Sequence, residues 1–194
     1  MEITSAQLKE LRDQTGISVM QCKRALEEAG GDMEKAVIIL KKKRSDAADK
    51  KSDREIGAGA VGSYVHNTNE IAALVLLGCE TDFVSKNPEF VALAKEVAMQ
   101  VAATNPTYIS RAEVPESALE KAKELFAAEI VGKPAEMAEK ILEGKLSAYY
   151  KEMILLEQPF IKNPDTTIGE MVNGAIQKFG ENVVVVKMSR ISVK

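Results

Sequence analysis

The stretch IAALVLLGCETDFVSKNPEF, residues 71–90, decides the fold because it holds a strand, a connection and the start of a helix in succession. Its apolar first part, Ile71–Cys79, is typical of a buried β-strand. The Asn-Pro pair at positions 87–88 is typical of a helix N-cap with proline in the first helical position. Between them, the segment TDFV, residues 81–84, places the bulky aromatic Phe83 in a connection that should be exposed. The sequence therefore raises the question of what this ring packs against.

The residues before this stretch predict a strand that pairs with it. Residues 57–66, GAGAVGSYVH, are rich in small and β-forming residues, and the polar residues 67–69 separate them from Ile71. This pattern predicts an antiparallel hairpin with its turn at residues 67–69. The second strand is apolar on both faces, so we expect helices to cover it.

The residues after this stretch predict helices and one closing strand. Apolar residues at helical spacing predict a long helix that starts at residues 87–88 and a last helix at residues 168–179. Further helices are predicted between these two, at residues 116–130, 134–143 and 146–156. The run NVVVVKMSRISV, residues 182–193, predicts a third strand. This order predicts an α+β domain in which helices cover a three-stranded antiparallel sheet.

The N-terminal part predicts a separate three-helix bundle. Residues 4–7 and 18–21 each match the capping-box pattern that begins a helix. Two apolar stripes at helical spacing then predict the second and third helices: Cys22, Ala25, Leu26 and Ala29, followed by Met33, Ala36, Val37 and Leu40. The sequence thus predicts a helical domain at residues 1–45, a charged linker at 46–56 and an α+β core domain at 57–194.

Residues 41–54, KKKRSDAADKKSDR, allow two interpretations. They are either a basic binding patch or the tail of a helix that passes into a solvated linker. Aspartates dilute the positive charge, and no aromatic residues are interleaved for base stacking. The second interpretation is therefore favoured.

The composition indicates a soluble globular protein without a strong charge. Of the 194 residues, 45% are hydrophobic and 28% are charged, and the net charge of −3 gives no basic field for nucleic acid or anionic lipid. The longest apolar run, Ile71–Cys79, is far shorter than the ~20 residues that span a bilayer. The two cysteines form no disulfide framework and favour a cytoplasmic location.

The sequence lacks common catalytic and nucleotide-binding motifs. Neither the P-loop pattern nor the dinucleotide-binding glycine pattern occurs, CxxC and HExxH are also missing, and His66 is the single histidine. A thiol enzyme that uses Cys79 with His66 remains an alternative, although cysteine is commonly a small buried apolar residue. We therefore expect a protein that works by binding, with no cofactor, no metal site and no catalytic residue.

Four segments resemble one protein family, in the order in which the family has them. They are LRDQTGISVMQCKRAL (residues 11–26), GCETDFVSKNPEF (78–90), EQPFIKN (157–163) and GENVVVVK (180–187). On these segments the chain resembles bacterial elongation factor Ts, in its short form with a single core module. The polar hairpin turn is a departure, because relatives often have glycine there.

This resemblance implies a UBA-like N-terminal domain and guanine-nucleotide exchange on elongation factor Tu, with release of GDP. It implies that Phe83 is a wedge that enters the GTP-binding domain of the partner and dislodges the partner's Mg²⁺, with Asp82 as a polar contact. It also implies that Thr81 and Val84 shape and anchor the loop. Some short relatives dimerise so that two copies complete the binding surface, so a homodimer is expected by analogy. Neither nucleic acid nor a membrane is an expected partner.

A second contact with the partner is expected at the start of the second helix. At ~100° per residue, Met20 projects away from the stripe that begins at Cys22, and Val19 lies at the margin. An exposed methionine suits an adaptable contact. The resemblance implies that this first turn touches the GTPase.

Each of these assignments has a structural alternative. Phe83 could fill the core of its own domain, with Thr81 or Asp82 capping a turn. Met20 could be one of the apolar residues that are scattered over any protein surface. A plain interaction module that recruits proteins without nucleotide exchange is the main alternative function.

Overall fold

A computed structural model describes residues 3–127 and 135–193 of the chain. Its helices are α1 (Ser5–Thr15), α2 (Val19–Glu28), α3 (Met33–Asp49), α4 (Asp82–Ser85), α5 (Pro88–Thr104), α6 (Glu116–Ala127), α7 (Ala135–Met153) and α8 (Ile168–Phe179). Its strands are β1 (Ala58–Val65), β2 (Ile71–Cys79), β3 (Pro159–Phe160), β4 (Asn163–Thr167) and β5 (Val183–Ser192). The predicted α+β class is confirmed. Within the described ranges, no helix is both long enough and apolar enough to span a bilayer.

The predicted hairpin and the predicted closing strand form one antiparallel sheet in the order β1-β2-β5. At the end of β2, Cys79 pairs with Val183, the first residue of β5. At the hairpin turn, Asn69 adopts a φ of 59°, a left-handed conformation that asparagine tolerates better than most residues. Its N–H donates to the carbonyl of His66 over 2.8 Å. The predicted turn at residues 67–69 is therefore confirmed.

The main core lies between one face of this sheet and the helices α5 and α8. Phe90, at the start of α5, is fully buried, and its ring meets the edge of the Phe179 ring with 5.8 Å between the centroids. On β1, Gly62 allows the backbone of α5 to come close at Ala94. A Cβ atom on Gly62 would lie 2.0 Å from the carbonyl oxygen of Ala94. This contact sets the distance between the helix and the sheet.

The other face of the sheet is open, so the prediction that helices cover β2 holds for one face only. Leu74, in the middle of β2, is half exposed, and Val61 on β1 and Ile191 on β5 are more exposed still. The reason lies in the connections, since α5 follows β2, α8 precedes β5, and both helices pack on the side that carries Val75 and Leu77.

The N-terminal helices form a core of their own. Thr4 begins α1 with a complete capping box, in which its hydroxyl accepts from the Gln7 N–H over 3.3 Å. Ser18 accepts from the Gln21 N–H over 3.4 Å, but the side chain of Gln21 turns to Gln177 on α8, 2.8 Å away. The second predicted capping box is therefore only half formed. The buried apolar residues of this bundle are Leu11, Ile17, Cys22, Ala25, Leu26, Ala36 and Leu40.

The charged segment after the bundle is partly helical and partly packed. Because α3 continues to Asp49, the first residues of the predicted linker at 46–56 are helical. The guanidinium of Arg44 donates to the carbonyl of Thr15 and, over 3.1 Å, to the side chain of Gln177. The first contact lies within the bundle, and the second joins the bundle to α8. The three predicted domain ranges themselves remain a prediction.

Between α5 and α8, the structure differs from the prediction in two places. The helices predicted at residues 134–143 and 146–156 are one helix, α7, because Gly144 lies inside it rather than ending it. The helix predicted at residues 116–130 corresponds to α6, and its last three residues lie outside the described part of the chain, as does residue 134. After α7, the strands β3 and β4 pair in a small separate hairpin that the pattern did not predict.

Candidate functional site

The TDFV segment forms an exposed single-turn helix between β2 and α5. β2 ends at Cys79, and α4 turns the chain towards α5. The side chain of Phe83 is 82% exposed, whereas that of Val84 is buried in the main core. The alternative in which Phe83 fills the core of its own domain is therefore wrong. Val84 anchors α4 to the core and leaves the aromatic ring in solvent.

The backbone in front of Phe83 is held by a carboxylate from the turn that precedes β5, at the same end of the sheet. The side chain of Glu181 accepts hydrogen bonds from the N–H of Glu80 over 3.1 Å and from the N–H of Thr81 over 3.0 Å. It also accepts from the hydroxyl of Thr81 over 2.6 Å. In the described part of the chain, Thr81 makes no side-chain capping bond to α4, although it occupies the N-cap position. Its hydroxyl is directed to Glu181 instead.

A second glutamate makes the reverse connection. The carboxylate of Glu80 accepts from the backbone N–H of Asn182 and, over 3.2 Å, from the guanidinium of Arg54. The hydrogen bond from the Asn182 N–H holds the pKa of the Glu80 carboxyl below its ordinary value, and the hydrogen bond and charge of Arg54 add a smaller effect in the same direction. The buried side chain of Asn182 donates in turn to the carbonyl of Arg54 over 3.1 Å.

We refer to Glu80, Thr81, Glu181 and Asn182 together as the glutamate clamp. It ties the start of the TDFV loop to the turn between α8 and β5, and through Arg54 to the segment that precedes β1. The loop that carries Phe83 is therefore fixed at its base by hydrogen bonds and at α4 by the burial of Val84.

Asp82 contributes a negative charge beside the exposed ring. Its carboxylate lies 2.7 Å from the ammonium of Lys86, one turn further along the chain. The hydrogen bond from Lys86, together with its charge, holds the pKa of Asp82 below its ordinary value. Because both side chains are exposed, this pair contributes little to stability. The charge of Asp82 is therefore available to a partner.

The second predicted contact lies at the first turn of α2. Met20 is 65% exposed and Val19 is also exposed, whereas Cys22 and Leu26 on the same helix are fully buried. This arrangement agrees with the helical spacing used above. The role of these side chains in binding stays a prediction.

Helix α8 contacts both α2, which carries Met20, and α5, which follows the TDFV loop. Its Gln177 donates to the side chain of Gln21, which directly follows Met20 in α2. The neighbouring Lys178 forms an ion pair with Glu89 in the first turn of α5, just after the TDFV loop. One helix thus contacts both the residue next to Met20 and the first turn of the helix that follows the TDFV loop.

The structure does not bring His66 and Cys79 together. Cys79 pairs with Ala58 at one end of the β1–β2 hairpin, and His66 lies beyond the other end of β1. A strand of that length separates them by ~20 Å or more. Burial raises the pKa of the Cys79 thiol, which donates to the carbonyl of Thr81 over 3.2 Å. The thiol-enzyme alternative therefore has no support in this geometry.

The sequence pattern missed the glutamate clamp. Residues 80–81 and 181–182 are a hundred positions apart, and nothing local in either segment points to the other. The pairing of β2 with β5 was the available signal, because it places Cys79 beside Val183 and so brings the flanking glutamates together. Over the described ranges, no group of three His, Cys, Asp or Glu side chains could hold a metal ion.

Comparison with known proteins agrees with these observations. The chain matches the family described as "Elongation factor TS" over residues 48–194, a range that includes the TDFV loop and the whole glutamate clamp. It is 47% identical over 194 residues to elongation factor Ts of Thermodesulfovibrio yellowstonii, with 100% of this chain and 97% of the relative aligned. For elongation factor Ts of Herpetosiphon aurantiacus, the identity is 45% over 195 residues, with 100% and 98% aligned. For that of Syntrophus aciditrophicus, it is 47% over 192 residues, with 98% and 96% aligned. These lengths agree with the short form expected from the sequence, and the chain belongs to the elongation factor Ts family.

Proposed function

We propose that this chain releases GDP from elongation factor Tu by inserting the Phe83 side chain into the GTP-binding domain and dislodging the bound Mg²⁺. Nucleotide exchange itself follows from the family, since elongation factor Ts is a non-enzymatic nucleotide-exchange factor for elongation factor Tu. The observation that supports insertion of Phe83 is its exposure on a backbone that is held on both sides. The proposed site of action is the cytoplasm.

The size of an aromatic side chain is sufficient for this task. By linkage, the factor by which the exchange factor weakens GDP binding equals the factor by which GDP weakens binding of the exchange factor. Each tenfold change needs about 1.4 kcal/mol of differential binding. A ring that buries roughly 150 Å² at about 25 cal/mol per Å² gives ~4 kcal/mol before losses. If Phe83 is buried only in the nucleotide-free complex, this energy weakens GDP binding by two orders of magnitude or more.

The proposed route through Mg²⁺ explains why no chemistry is needed on this chain. The metal ion neutralises negative charge on the phosphates of the nucleotide. A wedge that shifts the groups around this ion weakens GDP binding without breaking a covalent bond. The exposed carboxylate of Asp82 lies beside the ring, and we propose that it contacts the partner at the same place. The Mg²⁺ belongs to elongation factor Tu throughout.

The Mg²⁺ route predicts how chelation changes the assay. We expect the stimulation of GDP release by this chain to fall by at least about tenfold when EDTA removes Mg²⁺. The reason is that the metal ion that Phe83 would displace is then already absent. The measurement is the release of fluorescently labelled GDP from elongation factor Tu, with and without this chain, in Mg²⁺ and in EDTA. Equal stimulation under both conditions would exclude displacement of Mg²⁺ as the main step.

We also propose that Val19 and Met20 contact elongation factor Tu outside the nucleotide site. Their exposure supports this role, and so do the contacts of α8 with both Gln21, next to Met20, and Glu89, in the helix that follows the TDFV loop. Methionine adapts its shape to a partner surface at small cost. The alternative function as a plain recruitment module predicts binding through this surface with no change in the rate of GDP release.

A second copy of this chain is the proposed partner for the open face of the sheet. The outward residues Val61, Leu74 and Ile191 form an apolar surface across all three strands, larger than a single scattered residue. A twofold dimer can bury such a surface against its own copy. The resemblance to short relatives that dimerise points to the same occupant.

The dimer predicts a specific effect of a charge on this face. We expect the native chain to sediment as a dimer at micromolar concentration, and Leu74→Asp to sediment as a folded monomer, because an unpaired buried carboxylate is costly. Ile38→Asp is the matched control, since Ile38 is an exposed apolar residue on α3. The proposal is wrong if the native chain is monomeric over the same concentration range.

A further inference from the structure

We propose that Glu181 is a positioning residue for nucleotide exchange, which acts by fixing the backbone that presents Phe83. The inference rests on the proposed function of Phe83 and extends it to a residue in the turn before β5. Glu181 lies outside the TDFV segment, and its side chain binds the base of the loop at Glu80 and Thr81.

The geometry of the carboxylate is that of a clamp. One oxygen, Oε2, accepts from two successive backbone N–H groups, those of Glu80 and Thr81, over 3.1 and 3.0 Å. The other oxygen, Oε1, accepts from the hydroxyl of Thr81 over 2.6 Å. Hydrogen bonds to an ionised carboxylate are stronger than those between neutral groups. Three of them on two adjacent residues fix both the position and the direction of the chain as it enters α4.

The single turn of α4 needs this external support. One helical turn is not stable by itself, because its first hydrogen bond orders several residues at once. In the described structure, α4 is held by the burial of Val84 on one side and by the clamp at its start. Val84 fixes the distance of α4 from the core, and the clamp fixes its direction. The direction of α4 decides where the ring of Phe83 lies.

The hydroxyl of Thr81 can either donate to Glu181 or accept from a backbone N–H of α4. A threonine at the N-cap ordinarily accepts a hydrogen bond from a backbone N–H in the first turn of its helix. Here the hydroxyl donates to Glu181 instead. Without the carboxylate, the hydroxyl can rotate and cap α4, and Thr81 loses its own hydrogen bonds to the segment before β5. We therefore expect the loop to reorient rather than unfold when Glu181 is truncated.

Glu80 makes a second link between the same two segments, with donor and acceptor exchanged. Glu80 accepts from the backbone N–H of Asn182, the residue next to Glu181. Each glutamate therefore binds the backbone of the segment that carries the other. This reciprocity means that Glu181→Ala leaves the link between Glu80 and Asn182 in place, so that the variant can keep its fold while the TDFV loop is released.

The first test compares variants of the clamp in the GDP-release assay with elongation factor Tu. We expect Glu181→Ala to lower the maximal stimulated rate by about tenfold, with less than about a threefold change in the concentration for half-maximal effect. Glu181→Gln should retain most of the rate, because its amide oxygen can accept from both N–H groups and its NH₂ can donate to the Thr81 hydroxyl. A rise in the half-maximal concentration with an unchanged maximal rate would overturn the positioning role.

The second test asks whether Glu181 acts through Phe83. In a Phe83→Ala background, Glu181→Ala should change the rate by less than about twofold, since interacting residues give non-additive effects. An equally large loss in both backgrounds means that Glu181 acts elsewhere, and the inference is then wrong even though Phe83 matters. If Phe83→Ala alone leaves the rate unchanged, the proposed function fails, and the inference fails with it.

Two more conservative variants, at Thr81, test the clamp with a smaller risk of unfolding the protein. Thr81→Val removes one hydrogen bond and keeps the shape and the carboxylate, and we expect an intermediate loss of the maximal rate. Thr81→Ser keeps the hydroxyl and should restore most of it. Thermal unfolding of each variant, followed by circular dichroism, sets an assay temperature well below every transition. Equal rates for Thr81→Val and Thr81→Ser would contradict a role for the clamp.

Discussion

Replacing Phe83 with alanine is expected to lower the stimulated rate of GDP release from elongation factor Tu by about 30-fold or more. A buried aromatic at the centre of an interface commonly contributes at least about 2 kcal/mol, and each 1.4 kcal/mol is a factor of ten. The same substitution should change the free energy of unfolding by less than about 0.5 kcal/mol, because the ring is 82% exposed and its removal leaves no cavity. Stopped-flow release of labelled GDP and urea unfolding measure the two quantities.

The control for this prediction is another exposed apolar residue, far from the TDFV loop in the sequence. Ile38 on α3 is 65% exposed, and its truncation to alanine should leave both the release rate and the stability nearly unchanged. A folded Phe83→Ala variant that stimulates GDP release as fast as the native chain would rule out the wedge. A large loss of stability in that variant would show that the ring also packs within its own domain.

The largest expected effect on stability comes from Gly62→Ala on β1. The added Cβ would lie 2.0 Å from the carbonyl oxygen of Ala94 and 2.1 Å from its carbonyl carbon, both backbone atoms of α5. Backbone in the middle of a helix cannot move aside as a flexible side chain can, so α5 must separate from the sheet. We expect a loss of about 3 kcal/mol or more, a large part of the ~5–15 kcal/mol that stabilises a typical domain. Urea unfolding measures this loss.

Gly144→Ala is the matched control, because the same atom is added in open space. Gly144 lies inside α7, and in the described part of the chain no atom outside this stretch of helix lies within 4 Å of the position that its Cβ would take. Alanine is favoured over glycine inside a helix by roughly 0.5–1 kcal/mol, so this variant should be slightly more stable than the native chain. If Gly62→Ala and Gly144→Ala changed the free energy of unfolding by similar amounts with the same sign, this result would contradict the close approach of α5 to β1.

Local signals in the sequence were sufficient for most of the elements around the site. The Asn-Pro pair at residues 87–88 marks the start of α5, and a polar turn marks the β1–β2 hairpin. Thr167 starts α8 with a complete capping box. Each of these features depends on residues that are close together in the chain, so a single sequence can carry the information.

The features that the sequence did not predict depend on distant contacts. The apolar outer face of β2 has the same residue pattern whether a helix, a second copy or solvent lies against it, so Leu74 could not be assigned. Gly144 could end a helix or lie within one, and the packing of α7 decides between them. The short β3–β4 pair carries too few alternating residues to produce a strand signal.

The candidate site was predictable in part. Spacing alone left the position of the Phe83 ring open, because an aromatic residue in a short loop can turn inward or outward. The resemblance to a family indicated the outward position, and the burial of Val84 gives the physical reason for it. The clamp by Glu181 escaped prediction because the two partners meet only after β2 and β5 have paired.

The most direct test of the account measures how strongly Phe83→Ala and the native chain bind two states of elongation factor Tu. Isothermal titration calorimetry with nucleotide-free and with GDP-bound elongation factor Tu gives the four dissociation constants. The wedge predicts that the variant loses about 30-fold or more in affinity for the nucleotide-free state and less than about threefold for the GDP-bound state. Equal losses for the two states would mean that the ring adds affinity without driving exchange, and would contradict the account.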